Sequence, residues 1–196
     1  MPRLFTGIEI PAPLADRLSF LRGGLPGARW IDPENYHLTL RFIGDVDMRV
    51  ADEVAAELAR VRREPFTLRL GTAGTLGTKR PHAIVVRAEP NPALIELQAE
   101  HERIMQRIGL VPETRKYTPH VTLARLRGAS GHDIATYLSL RGGLLAEPFP
   151  VERFVLLSSR NSTGGGPYIV EEDYPLGRGA GRFEPAQYEA ETWQTD

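Results

Sequence analysis

The phrase HLTL at residues 37–40 returns as HVTL at residues 120–123, 83 positions later, in a chain of 196 residues that has only five histidines. In an extended segment side chains alternate between faces, which puts His37, Thr39 and Arg41 on one side and Leu38, Leu40 and Phe42 on the other. His120 and Thr122 stand in the same relation to Val121 and Leu123. Each phrase therefore predicts a strand that carries an imidazole and a hydroxyl side by side on one face, with aliphatic residues anchoring the other face in a core.

The surroundings of the two phrases also repeat. Residues 4–11, β-branched and closed by prolines, read as a strand, and residues 13–24 as a helix stopped by glycine. Residues 35–45 read as a strand. Residues 48–63 read as a helix with Val50, Val54, Leu58 and Val61 on one stripe. The second half runs strand 83–89, helix 91–110, strand 118–126 and helix 130–140, the long helix starting at Asn91-Pro92 and aligning Leu94, Leu97, Ile104 and Ile108. The histidines stand 33 and 37 residues after the first strand of their half, so the duplication is architectural. Further strands are expected at 65–76, 148–159 and 167–176, with NSTGGG at 161–166 as a hairpin loop. The predicted class is α+β with largely antiparallel sheets.

Composition excludes several chemistries. With no cysteine, disulfides, thiolate metal sites and cysteine nucleophiles are ruled out. A formal net charge of −1 is too weak for binding nucleic acid by electrostatics alone, although a small phosphorylated ligand fits. Residues 183–196 hold four acids and no bases, and 177–196 are expected to form a flexible acidic tail behind a single domain at 1–176. The N-terminal segment lacks the features of a secretory signal and no stretch approaches a membrane span, so the expected location is cytoplasmic.

Two histidines at equivalent places near neutral pH supply a base and an acid, one accepting a proton while the other delivers one. In-line displacement at phosphorus needs that pair together with neutral donors for the non-bridging oxygens, which the threonines provide. Serines 158 and 159 have no nearby His-Asp pattern, and the chain contains no G-x-S-x-G, Walker A or G-x-G-x-x-G sequence. A metal site built on His37 and His120 would lack a third ligand at standard spacing, so no metal or cofactor is expected.

The ordered pair of H-x-T-L motifs resembles the 2H phosphoesterases, and more closely the RNA 2′,3′-cyclic phosphodiesterases once named 2′-5′ RNA ligases. The resemblance runs through LFTGIEIP, HLTLRFIGD, RPHAIVV, YTPHVTLAR and FVLLSS, about residues 3–176. It implies a bilobal fold with two facing sheets, helices outside and the site in the central cleft. It also implies that His37 and His120 are catalytic and that Thr39 and Thr122 hold the phosphate. Arg125 falls where close relatives often carry an arginine, but strict alternation puts it on the face opposite His120, so a role in the site requires a bulge.

Within that reading His120 is assigned as the base toward water and His37 as the acid toward O3′, an assignment that is symmetric in the sequence. The expected substrates are RNA 3′ ends or nucleotides with a 2′,3′-cyclic phosphate, with the chain acting as a monomer. Rival readings are ATP-independent 2′-5′ ligation and a non-catalytic RNA-end binding module. Phe42, Trp30 and Tyr117 flank the motifs and are candidates for stacking on a base, and Lys79-Arg80 and Arg115-Lys116 for steering RNA. His101 belongs to the apolar stripe of its helix, and His82 and His132 to solvated turns.

Overall fold

The computed structural model describes residues 2–77, 79–143, 147–159 and 166–177. The first half runs β1 (Arg3–Glu9), α1 (Ala12–Ser19), β2 (Ala28–Trp30), a 3-10 turn (Pro33–Asn35), β3 (His37–Asp45) and α2 (Met48–Leu58). After β4 (Phe66–Leu68) and β5 (Leu70–Leu76), the second half runs β6 (Ala83–Ala88), α3 (Pro92–Arg107), β7 (His120–Leu126) and α4 (Gly131–Arg141). The chain closes with β8 (Phe149–Val151), β9 (Arg153–Ser159) and β10 (Tyr168–Pro175). The acidic tail expected after residue 177 lies outside the described residues.

Helix starts are fixed locally. The Asp47 side chain accepts the Val50 N–H at 2.8 Å, Asn91 accepts that of Leu94 at 3.0 Å and Ser130 that of Asp133 at 3.1 Å. Each satisfies one of the amides that a helix leaves without an internal partner.

The main sheet has the order β10-β9-β1-β3-β7-β6-β5, with β2 beside β7, and every pairing is antiparallel. The order β9-β1-β3 mirrors β5-β6-β7 about the β3–β7 seam, so the duplicated bilobal α+β fold read from the sequence is present. The two halves are continuous through that seam, which the single pair Leu38–Val121 closes. Leu38, Leu40, Val121 and Leu123 pack in one core with Leu18 of α1, Val54 and Leu58 of α2 and Leu94 and Leu97 of α3, all at most 2% exposed. Each such side chain contributes roughly 1.5–3 kcal/mol by leaving water.

Several expected boundaries shift. The helix expected over 48–63 ends at Leu58, although Val61 still reaches the core. The strands expected at 65–76 and 148–159 are each divided in two, changing partner at Arg69 and Glu152. Their first parts, β4 and β8, pair with each other as a separate ribbon. β2 was not anticipated, since three residues are too few for alternation to register.

His101 of α3 is fully buried. Its Nδ1 stands 2.8 Å from the Thr6 hydroxyl, its ring lies edge-on to Phe154 at 4.5 Å, and its Nε2 has no hydrogen-bond partner among the described residues. Burial pushes its pKa down to about 3. The unfolded chain, with histidine near 6.5, binds more protons than the folded one between those values. Stability contributed by a neutral His101 is therefore complete above pH 6.5 and falls as pH drops toward 3. A Thr6→Val/His101→Phe variant, followed by urea unfolding from pH 3.5 to 7, is expected to lose about one proton's worth of the pH slope.

Candidate active site

β3 carries two extra residues against β1, at Leu40 and Ile43, and β7 one against β6, at Leu123. Across β1–β3 the pairing passes from Gly7–Thr39 to Thr6–Arg41 and skips Leu40; across β6–β7 it passes from Val85–Thr122 to Ile84–Ala124 and skips Leu123. The bulges at Leu40 and Leu123 each fall three residues after the histidine. Two residues of the bulged strand face one of the partner, so the faces exchange beyond that point. His37 and Thr39 stay on one face with Phe42, and His120 and Thr122 with Arg125; all six line one cleft of about 470 Å³.

Arg125 thus stands with both histidines, by the kind of bulge that alternation alone could not supply. Phe42, expected beside Leu38 and Leu40, instead enters the cleft at 52% exposed, 5.8 Å from the Phe5 ring. Arg41, expected beside His37 and Thr39, is turned to the helix side and 8% exposed. There it donates to the Glu102 carboxylate of α3, to its neighbour's carbonyl at Phe42, and to the Val111 carbonyl at 2.5 Å. Glu102 also accepts the Glu113 N–H at 3.0 Å, and Tyr117, on the same loop, donates its hydroxyl to the Thr39 carbonyl at 3.1 Å. Arg41 therefore fastens a loop that touches the first motif from behind.

The two imidazoles are held alike. His37 Nδ1 lies 2.9 Å from the Asn35 carbonyl and His120 Nδ1 lies 2.6 Å from the Thr118 carbonyl, in both cases two residues upstream. A carbonyl can only accept, so each Nδ1 carries the proton and each Nε2 keeps its lone pair. His37 is boxed by Phe5 and Tyr168, each ring centroid 4.9 Å away, whereas His120 is the more open of the two. Burial pushes His37 down to about 4 against the upward pull of the Asn35 carbonyl, and His120 and Arg125 add to the depression. His120 is also lowered, by burial first, with the Thr118 carbonyl opposing and Arg125, Arg87 and His82 reinforcing. The free cleft therefore holds two neutral bases, and a bound anion would raise both.

The supports of His37 come from distant parts of the chain. Gly7 leaves room beside it, since a Cβ there would stand 3.0 Å from the Leu38 carbonyl oxygen and 3.7 Å from the His37 ring. The Asn35 side chain accepts the Tyr168 N–H at 3.0 Å, and Gly166, at φ +96°, passes so close that a Cβ would lie 2.3 Å from Asn35 Oδ1. Phe5 and Tyr168 were missed from the sequence, where each reads as an ordinary strand aromatic. His82, expected in a solvated turn, is exposed but lines the cleft, as does Arg115, ion-paired to Glu113 at 2.8 Å. Trp30 packs 5.7 Å from Tyr137 and lies outside the cleft lining. Among the described residues no three His, Asp or Glu side chains gather as a metal site, and no helix is long and apolar enough to cross a membrane.

The family model described as LigT like Phosphoesterase matches the chain twice, over residues 8–86 and 84–168. The chain is 38% identical to the RNA 2′,3′-cyclic phosphodiesterase of Aeropyrum pernix over 115 residues, 58% of this chain and just under two thirds (65%) of that protein. It is 28% identical to the protein of that name from Aquifex aeolicus, over 76% of this chain and 82% of the relative. Among solved structures, Escherichia coli LigT complexed with 3′-AMP superposes with a TM-score of 0.71 at 26% identity, covering 90% of this chain and 99% of that one.

Breaking the Arg41–Glu102 pair leaves a carboxylate 16% exposed without its cation. Arg41→Met is expected to lower stability in urea unfolding by about 3–5 kcal/mol, and Arg41→Met/Glu102→Leu to recover much of that loss.

Proposed function

Because the chain belongs to the LigT-like phosphoesterase family, we propose that it hydrolyses RNA or nucleoside 2′,3′-cyclic phosphates to 2′-phosphates by acid–base catalysis with His37 and His120. The observation that carries the proposal is the matched setting of the two imidazoles, each with Nδ1 on the carbonyl two residues upstream and a threonine beside it on one cleft face. Curated relatives named RNA 2′,3′-cyclic phosphodiesterase, and a related structure holding 3′-AMP, support the substrate class.

The cyclic phosphate lies between Thr39 and Thr122, whose hydroxyls donate to its non-bridging oxygens, with Arg125 offsetting its charge. His120, the more open ring, takes the proton of an incoming water through Nε2. The water oxygen bonds to phosphorus as the P–O3′ bond breaks on the opposite side, and His37 gives its proton to O3′. The ring that begins charged owes its proton to the anion, since burial alone keeps both neutral. Phe42 offers its exposed ring to the base. The catalytic unit is residues 1–176 acting as a monomer, because both histidines, both threonines and Arg125 come from one chain. A cytoplasmic location belongs to the same proposal, RNA ends being an intracellular substrate.

His37→Ala and His120→Ala are each expected to lower turnover of a 2′,3′-cyclic nucleotide roughly 10²–10⁴-fold with the fold intact by circular dichroism. Thr39→Val and Thr122→Val should lower it about 10-fold, the effect of losing about 1.4 kcal/mol of transition-state stabilisation. Full activity in either histidine variant would remove the mechanism.

The rate should rise and then fall with pH, since one ring must be neutral and the other charged, and the two limbs belong to the coupled pair. kcat/KM reports the free enzyme, where both rings are depressed, so its optimum should lie on the acid side of 6.5. kcat reports the phosphate-bound enzyme, and its limbs should move to higher pH. EDTA should leave both profiles unchanged; loss of activity on chelation with recovery on adding a divalent ion would make the histidines ligands instead.

A further inference from the structure

β2 pairs with β7 so that Arg29 stands directly opposite Arg125. Side chains at opposed positions share a face and lie roughly 5 Å apart at Cβ, where like charges are unfavourable. Neither guanidinium has a carboxylate partner among the described residues, whereas Arg3, Arg22, Arg41, Arg63 and Arg115 are each ion-paired. Arg29 and Arg125 also line a second recess of about 390 Å³, together with Trp30, Asn35 and Pro167. Ile31 and Arg125 belong to both this recess and the histidine cleft, so the two are contiguous. Two carboxylates line the recess as well: Asp32 is engaged by Arg22 at 2.7 Å, and Glu34 is the other. Once Asp32 is neutralised from outside, positive charge is in excess.

We infer that Arg29 and Arg125 together grip the phosphodiester on the 5′ side of the terminal nucleotide, which makes the preferred substrate an RNA 3′ end rather than a free cyclic nucleotide. This rests on the proposed reaction, because a cyclic phosphate seated at Thr39 and Thr122 puts the preceding nucleotide past Arg125 and into the recess. The unfavourable juxtaposition of two arginines is relieved when a phosphate lies between them. A mononucleotide has no second phosphate: its cyclic phosphate meets Arg125 alone and leaves Arg29 uncompensated. Long flexible stems let both guanidiniums close on one anion, with bidentate donors suited to phosphate oxygens.

The test compares adenosine 2′,3′-cyclic phosphate with the dinucleotide ApA carrying a 2′,3′-cyclic phosphate, on the full chain and on Arg29→Gln. The full chain is expected to favour the dinucleotide in kcat/KM by about 10-fold or more, and Arg29→Gln to lose about 10-fold of that ratio, mostly in KM, while Arg29→Lys keeps part of it. The slope of log KM against log salt for the dinucleotide should fall by about 0.7 in Arg29→Gln, the value for one lost single-strand phosphate contact. Calorimetric binding of the two 2′-phosphate products reads the same selectivity without turnover. An unchanged ratio in Arg29→Gln, in kinetics and in product binding, overturns the second-phosphate site while leaving the reaction in place. Failure of the full chain to open either cyclic phosphate overturns the reaction itself, and the site with it.

Discussion

A bulge three residues after each histidine governs the rest of the site. With strict alternation, Arg41 would sit in the cleft beside His37, and Phe42 and Arg125 would be driven into the core. Skipping Leu40 and Leu123 in the pairing exchanges those positions. A cation that alternation would put beside the first histidine becomes a structural bolt behind it, and a different cation is delivered beside the second. The bulges fall at the same offset from each histidine, so the device belongs to the duplicated unit. What differs between the halves is the residue that uses it: an aromatic ring in one half and a guanidinium in the other.

The same economy sets the protonation of the site. Burial alone would make the imidazoles poor bases, and the carbonyl two residues upstream works against it by accepting the Nδ1 proton. That contact comes from the strand's own entry segment, so it is available to both motifs without a dedicated carboxylate. Imidazoles held by backbone carbonyls stay uncharged while the cleft is empty, and with Arg125 beside them the cleft suits a ligand that brings its own negative charge.

Much of this was legible in the sequence, because it depends on period and position. The four major helices, the order of the repeated strands and the shared face of His37 with Thr39 and of His120 with Thr122 follow from alternation and spacing. The bulges were not legible, since Leu40 and Leu123 look like ordinary core residues, and with them the placements of Arg41 and Phe42 were lost. Partner exchange at Arg69 leaves alternation intact between Leu68 and Leu70 and so leaves no trace in it, whereas at Glu152 two successive exposed residues, Glu152 and Arg153, shift the phase. Phe5 and Tyr168 reach His37 only through the pairing of β1 with both β3 and β9 and the return of β10, a tertiary fact with no local signal. The arginine pair at 29 and 125 was hidden for a similar reason, as three residues of edge strand bring it together.

The clamp between Asn35 and the Tyr168 backbone has a consequence for the order in which the molecule becomes competent. Asn35 supplies the carbonyl that holds His37, and its own side chain is held from a strand 133 residues further along. During synthesis both histidine motifs are translated before that strand exists. A chain released after the second motif would carry every polar group proposed for the chemistry, with the first imidazole lacking its Tyr168 wall and its second-layer anchor. The closing strand thus acts as a completeness check, joining the acquisition of a finished site to translation of nearly the whole described chain.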